Sequence, residues 1–440
     1  MFRMLRLEAK RSVALALFLV LAALTRVFLW MDVQEWAAAW TPLLHSMRST
    51  ALTGLPVVLA AGIWHGGRER RSGVSELFAA TPRSGPVRLL PAFVVLAGAA
   101  VLAVAAVTGW AAVGVSGKAT FDDGQWPLGL AVGLLVLAAV ALLGLGIGRL
   151  APAPVAAPLG AVLLFLVLVV SEARNGRPAN RLVDLVLPML PVTDGFHRVL
   201  PSLSFAQIVW FAGLGVTGVL LAVAATTRTR VLAAIPAAAG LGIGFLVAPT
   251  GGIAPAPGAT ALVCAPEDAR VCVTRVHRRA LPDLLGPGRT VLDAYAAVPG
   301  GPKRVQEDRM SWMLDDGRGA PGTGDPDTVL LGISYRTQEG GIRWEPDTVR
   351  DILARAAFLD DRCYAEGAEG QPRANAAGQA VTALLLGGSV DRLAPEARAV
   401  HDSLRALPAE ERNRRIGEAR RAGLTCGDPM APLTGEGAAR

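Results

Sequence analysis

His65–Arg88 reads HGGRERRSGVSELFAATPRSGPVR and lies between two apolar segments, Thr41–Trp64 and Leu89–Val115, each long enough to cross a bilayer. Arg68, Arg70, Arg71, Arg83 and Arg88 mark the loop as cytoplasmic, because short loops rich in Arg or Lys stay inside. Val74, Leu77 and Phe78 fall at i, i+3 and i+4, so one apolar stripe would line a short helix. Thr81-Pro82 would end it, since the residue before proline is pushed out of helical geometry. A short amphipathic helix held between two spans is suited to docking on a cytoplasmic partner. An ordinary solvated connector is the plainer alternative.

Outward from the loop, the pattern is that of a polytopic membrane protein. Of 440 residues 52% are hydrophobic and only 18% are charged. Met1–Arg11 is basic and amphipathic, and the apolar run after it reaches Met31 without an Ala-x-Ala cleavage pattern, so it reads as a retained span. Apolar stretches then place spans at about Val13–Met31, Thr41–Trp64, Leu89–Val115, Leu128–Gly148, Pro154–Val170, Phe205–Thr226 and Val231–Ala248. Pro56 predicts a kink in the second. Gly144 and Gly148, one turn apart, predict close helix packing. Leu182–Leu190, between the fifth and sixth spans, is too short to cross. Arg26 sits at the outer end of its span, where it can snorkel, but Arg48 lies about two turns inside the second.

Seven spans from an inside start would deliver the rest of the chain outside. Residues 1–250 hold 19 Lys and Arg against 10 Asp and Glu, while residues 251–440 hold 24 against 26. The basic excess therefore belongs to loops facing anionic lipid, and nucleic acid is excluded as a partner. All four cysteines (Cys264, Cys272, Cys363, Cys426) fall after residue 250 and none forms Cys-x-x-Cys. Two disulfides in an oxidising compartment are expected, with four reduced buried thiols as the alternative. Short strands at Ala261–Cys264 and Val271–His277 would set Cys264 beside Cys272 across a hairpin, leaving Cys363 for Cys426. Helical patterns near Leu281–Val298, Val349–Phe358, Ala376–Leu386, Pro395–Leu407 and Ala409–Ala422, with a strand at Thr328–Arg336, make residues 251–440 an α+β domain. Asp315–Asp327 reads as a loop, and His277 and His401 look isolated.

Glu69-Arg70, Gly73, Glu76-Leu77, Ala80-Thr81-Pro82 and Ser84 stand in the order found in the coupling loop of type-2 ABC exporter membrane subunits, which residues 1–230 resemble. The resemblance implies a helix docked in a groove of a separate ATP-binding subunit, with Glu69, Arg70, Gly73, Val74, Glu76, Leu77, Phe78 and Pro82 at the contact. It also implies an interfacial elbow helix at the N-terminus, a pair of short re-entrant helices before the sixth span, and pairing with a second membrane subunit, identical or different. Gly85 stands where the family usually has a basic residue.

Absences narrow the chemistry. No Gly-x-x-x-x-Gly-Lys-Ser/Thr loop occurs, so ATP and magnesium would belong to the partner, with no cofactor or metal in this chain and no enzyme activity of its own. No Asp or Glu lies within an apolar core, which argues against an ion-driven carrier. Two readings follow from the resemblance. One is a permease of six to seven membrane helices moving an amphipathic substrate outward, with an extracytoplasmic α+β domain. The other is a non-transporting device that passes ATP hydrolysis on to that domain for signalling or scaffolding.

Overall fold

The computed structural model describes residues 2–73, 85–172, 180–188, 195–308, 325–333, 337–338, 341–342, 344–364 and 370–435. The chain divides into two compact units, Met1–Pro257 and Gly258–Arg440.

The first unit is a helical bundle. Its helices are α1 (Phe2–Arg11), α2 (Ala14–Met31), α3 (Val33–Trp36), α4 (Trp40–Ser49), α5 (Ala51–Gly66), α6 (Arg68–Arg71), α7 (Gly85–Ser116), α8 (Trp126–Leu150) and α9 (Ala156–Glu172). After them come α10 (Arg181–Val186), strand β1 (His197–Val199), α11 (Pro201–Val223), α12 (Thr227–Leu232), α13 (Ile235–Val247) and strand β2 (Ile253–Pro255). Apolar runs of this length become helices because hydrocarbon offers no partner for a free N–H or C=O. Five described helical stretches are long and apolar enough to span: Ala14–Met31, Val87–Ser116, Trp126–Leu150, Pro201–Val223 and Thr227–Val247. The bent pair α4 and α5 makes a sixth, and Ala156–Ser171 is apolar but shorter. The sequence suggested seven.

The α4–α5 bend is 44° and falls at Thr50, not at Pro56 as the sequence suggested. There the Ser49 and Thr50 hydroxyls donate back to the carbonyls of His45 (3.0 Å) and Met47 (2.5 Å), a habit that opens helices. α8 is the hub of the bundle, packed by α4, α5, α7 and α11. It meets α5 through glycines: a Cβ at Gly144 would lie 2.7 Å from the Leu59 carbonyl oxygen.

Contacts define two ends. At one, Glu69 meets Arg149, so α6 lies beside the end of α8. Arg230, at the α11–α12 junction, lines the same space as Arg88 and Arg149. At the other end Trp40 stacks on Trp126, with centroids 4.5 Å apart, and Trp36 donates to the Leu29 carbonyl at 2.7 Å. β1 pairs with β2 in antiparallel register, His197 opposite Pro255, just before α11 and after α13. Among the described residues, α11 therefore runs from the β1–β2 pair to the end where Arg230 lies, and the end of α13 returns to the β1–β2 pair.

The second unit holds a four-stranded sheet in the order β3 (Leu262–Ala265), β4 (Asp268–Thr274), β5 (Arg304–Glu307), β6 (Thr328–Leu331). β3 and β4 form the expected hairpin, with Cys264 opposite Cys272. β4, β5 and β6 run parallel, with α14 (Leu281–Ala294) crossing over between β4 and β5. β4, α14 and β5 thus form a βαβ unit. The two-residue strands β7 (Thr337–Gln338) and β8 (Gly341–Ile342) precede helices α15 (Pro346–Phe358), α16 (Gln371–Leu386), α17 (Pro395–Arg405), α18 (Ala409–Leu424) and α19 (Met430–Thr434). Tyr295, Leu353 and Phe358, each fully buried, lie at the centre of its core. Cys363 and Cys426 form the second disulfide, across 63 residues.

Candidate functional site

The arginine-rich loop His65–Arg88 is described at both of its mouths, residues 65–73 and 85–88. Glu69 sits in the short helix α6, and Arg149, in the last turn of α8, donates to its Oε2 at 2.9 Å. Arg88, in the first turns of α7, approaches the same oxygen at 3.5 Å. The Glu69 side chain is only 15% exposed. One carboxylate therefore ties the loop's first turn to two membrane helices. The resemblance puts Glu69 at a partner contact, and within this chain its Oε2 meets two arginines.

A second carboxylate ties in the N-terminal helix. Glu8 on α1 lies 2.9 Å from His65 Nε2 and 2.6 Å from Arg68. The hydrogen bond with His65, aided by the charge of Arg68, outweighs partial burial and holds the Glu8 carboxyl below its usual range. Arg71 folds back over the Trp64 ring, 4.3 Å from its centroid. Arg70 is exposed, and Gly73 takes a left-handed turn at φ 68° that only glycine adopts without strain. Val74, Glu76, Leu77, Phe78 and Pro82 lie outside the described residues.

Within the bundle, Arg48 is 4% exposed. Its Nη2 donates to Gln207 Oε1 on α11 at 3.0 Å, and its Nε has no partner. Gln207, fully buried, in turn donates to the carbonyls of Asp184 (2.8 Å) and Leu187 (2.9 Å). The network joins the α4–α5 bend to the segment around α10, where a short apolar run was expected outside the spans. Arg26, in the C-terminal half of α2, lies over the Trp110 ring at 4.7 Å.

The second unit contains a polar cluster that sequence reasoning missed. At the carboxyl ends of β4 and β5, the buried Glu307 accepts from the Thr274 backbone N–H (2.8 Å) and hydroxyl (2.7 Å). His277 Nδ1 stands 2.6 Å from its other oxygen. His277 is thus not isolated, and neither is His401, which is buried beside Asp402 at 2.9 Å. The signal was faint because Arg304–Glu307 reads as a polar linker until β4 and β5 pair in parallel. Arg420, 3% exposed, donates to the carbonyls of Ala357 (2.7 Å), Gly300 and Pro326. No cluster of three or more His, Cys, Asp or Glu able to hold a metal occurs among the described residues.

No known protein family, curated protein or solved structure matches this chain.

Proposed function

We propose that the chain is the permease subunit of an ATP-driven exporter, working with a separate ATP-binding subunit and a second membrane subunit. Glu69 carries this reading. A docking loop can transmit force only if it is joined stiffly to what it must move, and Glu69 joins it to α7 and α8. The loop sequence supports the same reading, with Glu69-Arg70, Gly73, Glu76-Leu77 and Thr81-Pro82 in the order of a type-2 coupling loop. In this assignment the arginine-rich end is cytoplasmic, the chain crosses seven times with α9 as its shortest span, and Gly258–Arg440 is extracytoplasmic. Two disulfides fit an oxidising compartment.

The two roles in the loop separate under mutation. Phe78→Ala removes an anchor of the docking stripe and should weaken association by about 2 kcal/mol, the scale of a hot-spot truncation. Glu69→Gln leaves that stripe intact but loosens the join to α8, so association should survive while substrate-stimulated ATPase falls. The check is copurification and ATPase of wild type and both variants with the candidate ATP-binding subunit. If neither variant changes either readout, the loop is a plain connector.

The non-transporting reading draws on the outer half of the bundle. A cavity of about 110 Å³ between Trp40, Leu43, Thr108 and Trp126 is almost wholly apolar, and so offers no polar path. Reconstituted vesicles that hydrolyse ATP without moving any amphipathic substrate would favour it.

A further inference from the structure

Among the described residues, the inner end of the bundle gathers more arginines than acids. Arg70, Arg88, Arg149 and Arg230 line one open cavity of about 320 Å³. The carboxylate at its edge, Glu69, is shared by Arg149 and Arg88. Arg70 and Arg230 form no ion pair among the described residues, and the Nε of Arg230 is buried without a partner. Like charges gathered at this density repel unless an anion joins them. The guanidinium fork matches phosphate oxygens two at a time, which makes arginine the preferred partner for that group.

The rest of the lining is apolar, with Leu150, Leu221 and Val223 from the last turns of α8 and α11. These turns end stretches long and apolar enough to span, and at the ends of a span headgroup meets hydrocarbon. A ligand that fits both walls carries a phosphate and an apolar body. We propose that Arg70, Arg88, Arg149 and Arg230 form a phosphate site occupied by the headgroup of an anionic phospholipid. This holds whether or not the chain is an exporter, because it rests on the cavity alone. Basic pockets between membrane helices recognise such headgroups with a gain that scales with the number of arginines.

The test uses the full chain purified in a neutral detergent. Its thermal midpoint and lipid retention by native mass spectrometry are followed with added phosphatidylglycerol, phosphatidylcholine or inorganic phosphate at matched ionic strength. Phosphatidylglycerol should be retained and should raise the midpoint, and phosphatidylcholine should do neither. Arg70→Gln and Arg230→Gln, which break no ion pair seen here, should each weaken phosphatidylglycerol binding about fivefold. Arg228→Gln removes the same charge from the same segment but lies off the cavity, and should bind as wild type does. Protection by inorganic phosphate alone would uphold the phosphate site and overturn its lipid source. Equal protection by phosphatidylcholine, or equal loss in Arg228→Gln, would reduce the effect to general adhesion and overturn the site. No protection by either phosphate compound would leave the arginines to an acidic protein partner and overturn it as well.

Discussion

Arg48 in the membrane bundle and Arg420 in the second unit are buried to nearly the same degree, 4% and 3% exposed, yet they are held very differently. Arg420 spends its donors on three backbone carbonyls, from Ala357, Gly300 and Pro326. Ala357 lies in the last turn of α15, where helical carbonyls lose their own partners, and the other two lie in loops. Arg48 finds a single amide oxygen, that of Gln207, and keeps its Nε unpartnered. A water-soluble fold with many chain ends and loops has spare carbonyls to offer a buried cation. Within a helical bundle most carbonyls are consumed internally, so a cation inside it depends on rare polar side chains. Arg420 is a structural staple. Arg48 is poorly satisfied for its depth, as functional residues in membranes tend to be.

The largest effect should come from Arg420→Met, which orphans three carbonyls and should destabilise the second unit by about 3 kcal/mol or more. Thermal proteolysis of the full chain should cut residues beyond Gly258 at lower temperature while the membrane unit resists as before. An unchanged midpoint would erase the contrast between the two arginines. Next comes the long disulfide. Replacing Cys363 and Cys426 by Ser should cost the second unit about 2–4 kcal/mol through the freed unfolded chain, and replacing the hairpin pair Cys264 and Cys272 should cost less. Reductant should reproduce both losses and leave the membrane unit, which has no cysteine, untouched. Loss of the membrane unit's cooperative transition in reductant would show that the units are not thermodynamically separate.

Arg48→Met should have the smallest effect on stability, within about 1 kcal/mol. It leaves the Gln207 amide oxygen unpaired but relieves a costly buried charge, and these terms oppose. On the proposed function, its effect should instead be on ATPase or transport measured with a candidate ATP-binding subunit. A stability loss as large as that of Arg420→Met, with activity kept, would make Arg48 a staple after all.

Much of this was readable from residue order. Hydropathy alone placed the long helices within a few residues, since each must satisfy its backbone internally wherever it lies. The β3–β4 hairpin and its facing cysteines followed from local alternation and an eight-residue separation. The glycine spacing of Gly144 and Gly148 was read correctly as a contact surface, although it could not say against which helix. The α4–α5 bend was misplaced because Pro56 is a conspicuous breaker, whereas Ser49 and Thr50 bend the chain through hydroxyl bonds that sequence does not advertise.

Residue order alone thus set which stretches are long and apolar enough to span and which loop is rich in arginine. Those are properties of local composition. Only the tertiary structure decided that Glu69 faces Arg149, 80 residues away, that Glu307 meets Thr274 and His277 across parallel strands, and that four arginines share one cavity. The strength of such a pairing falls steeply with distance and depends on local burial. The sequence names the charged partners, but folding sets how far apart they stand.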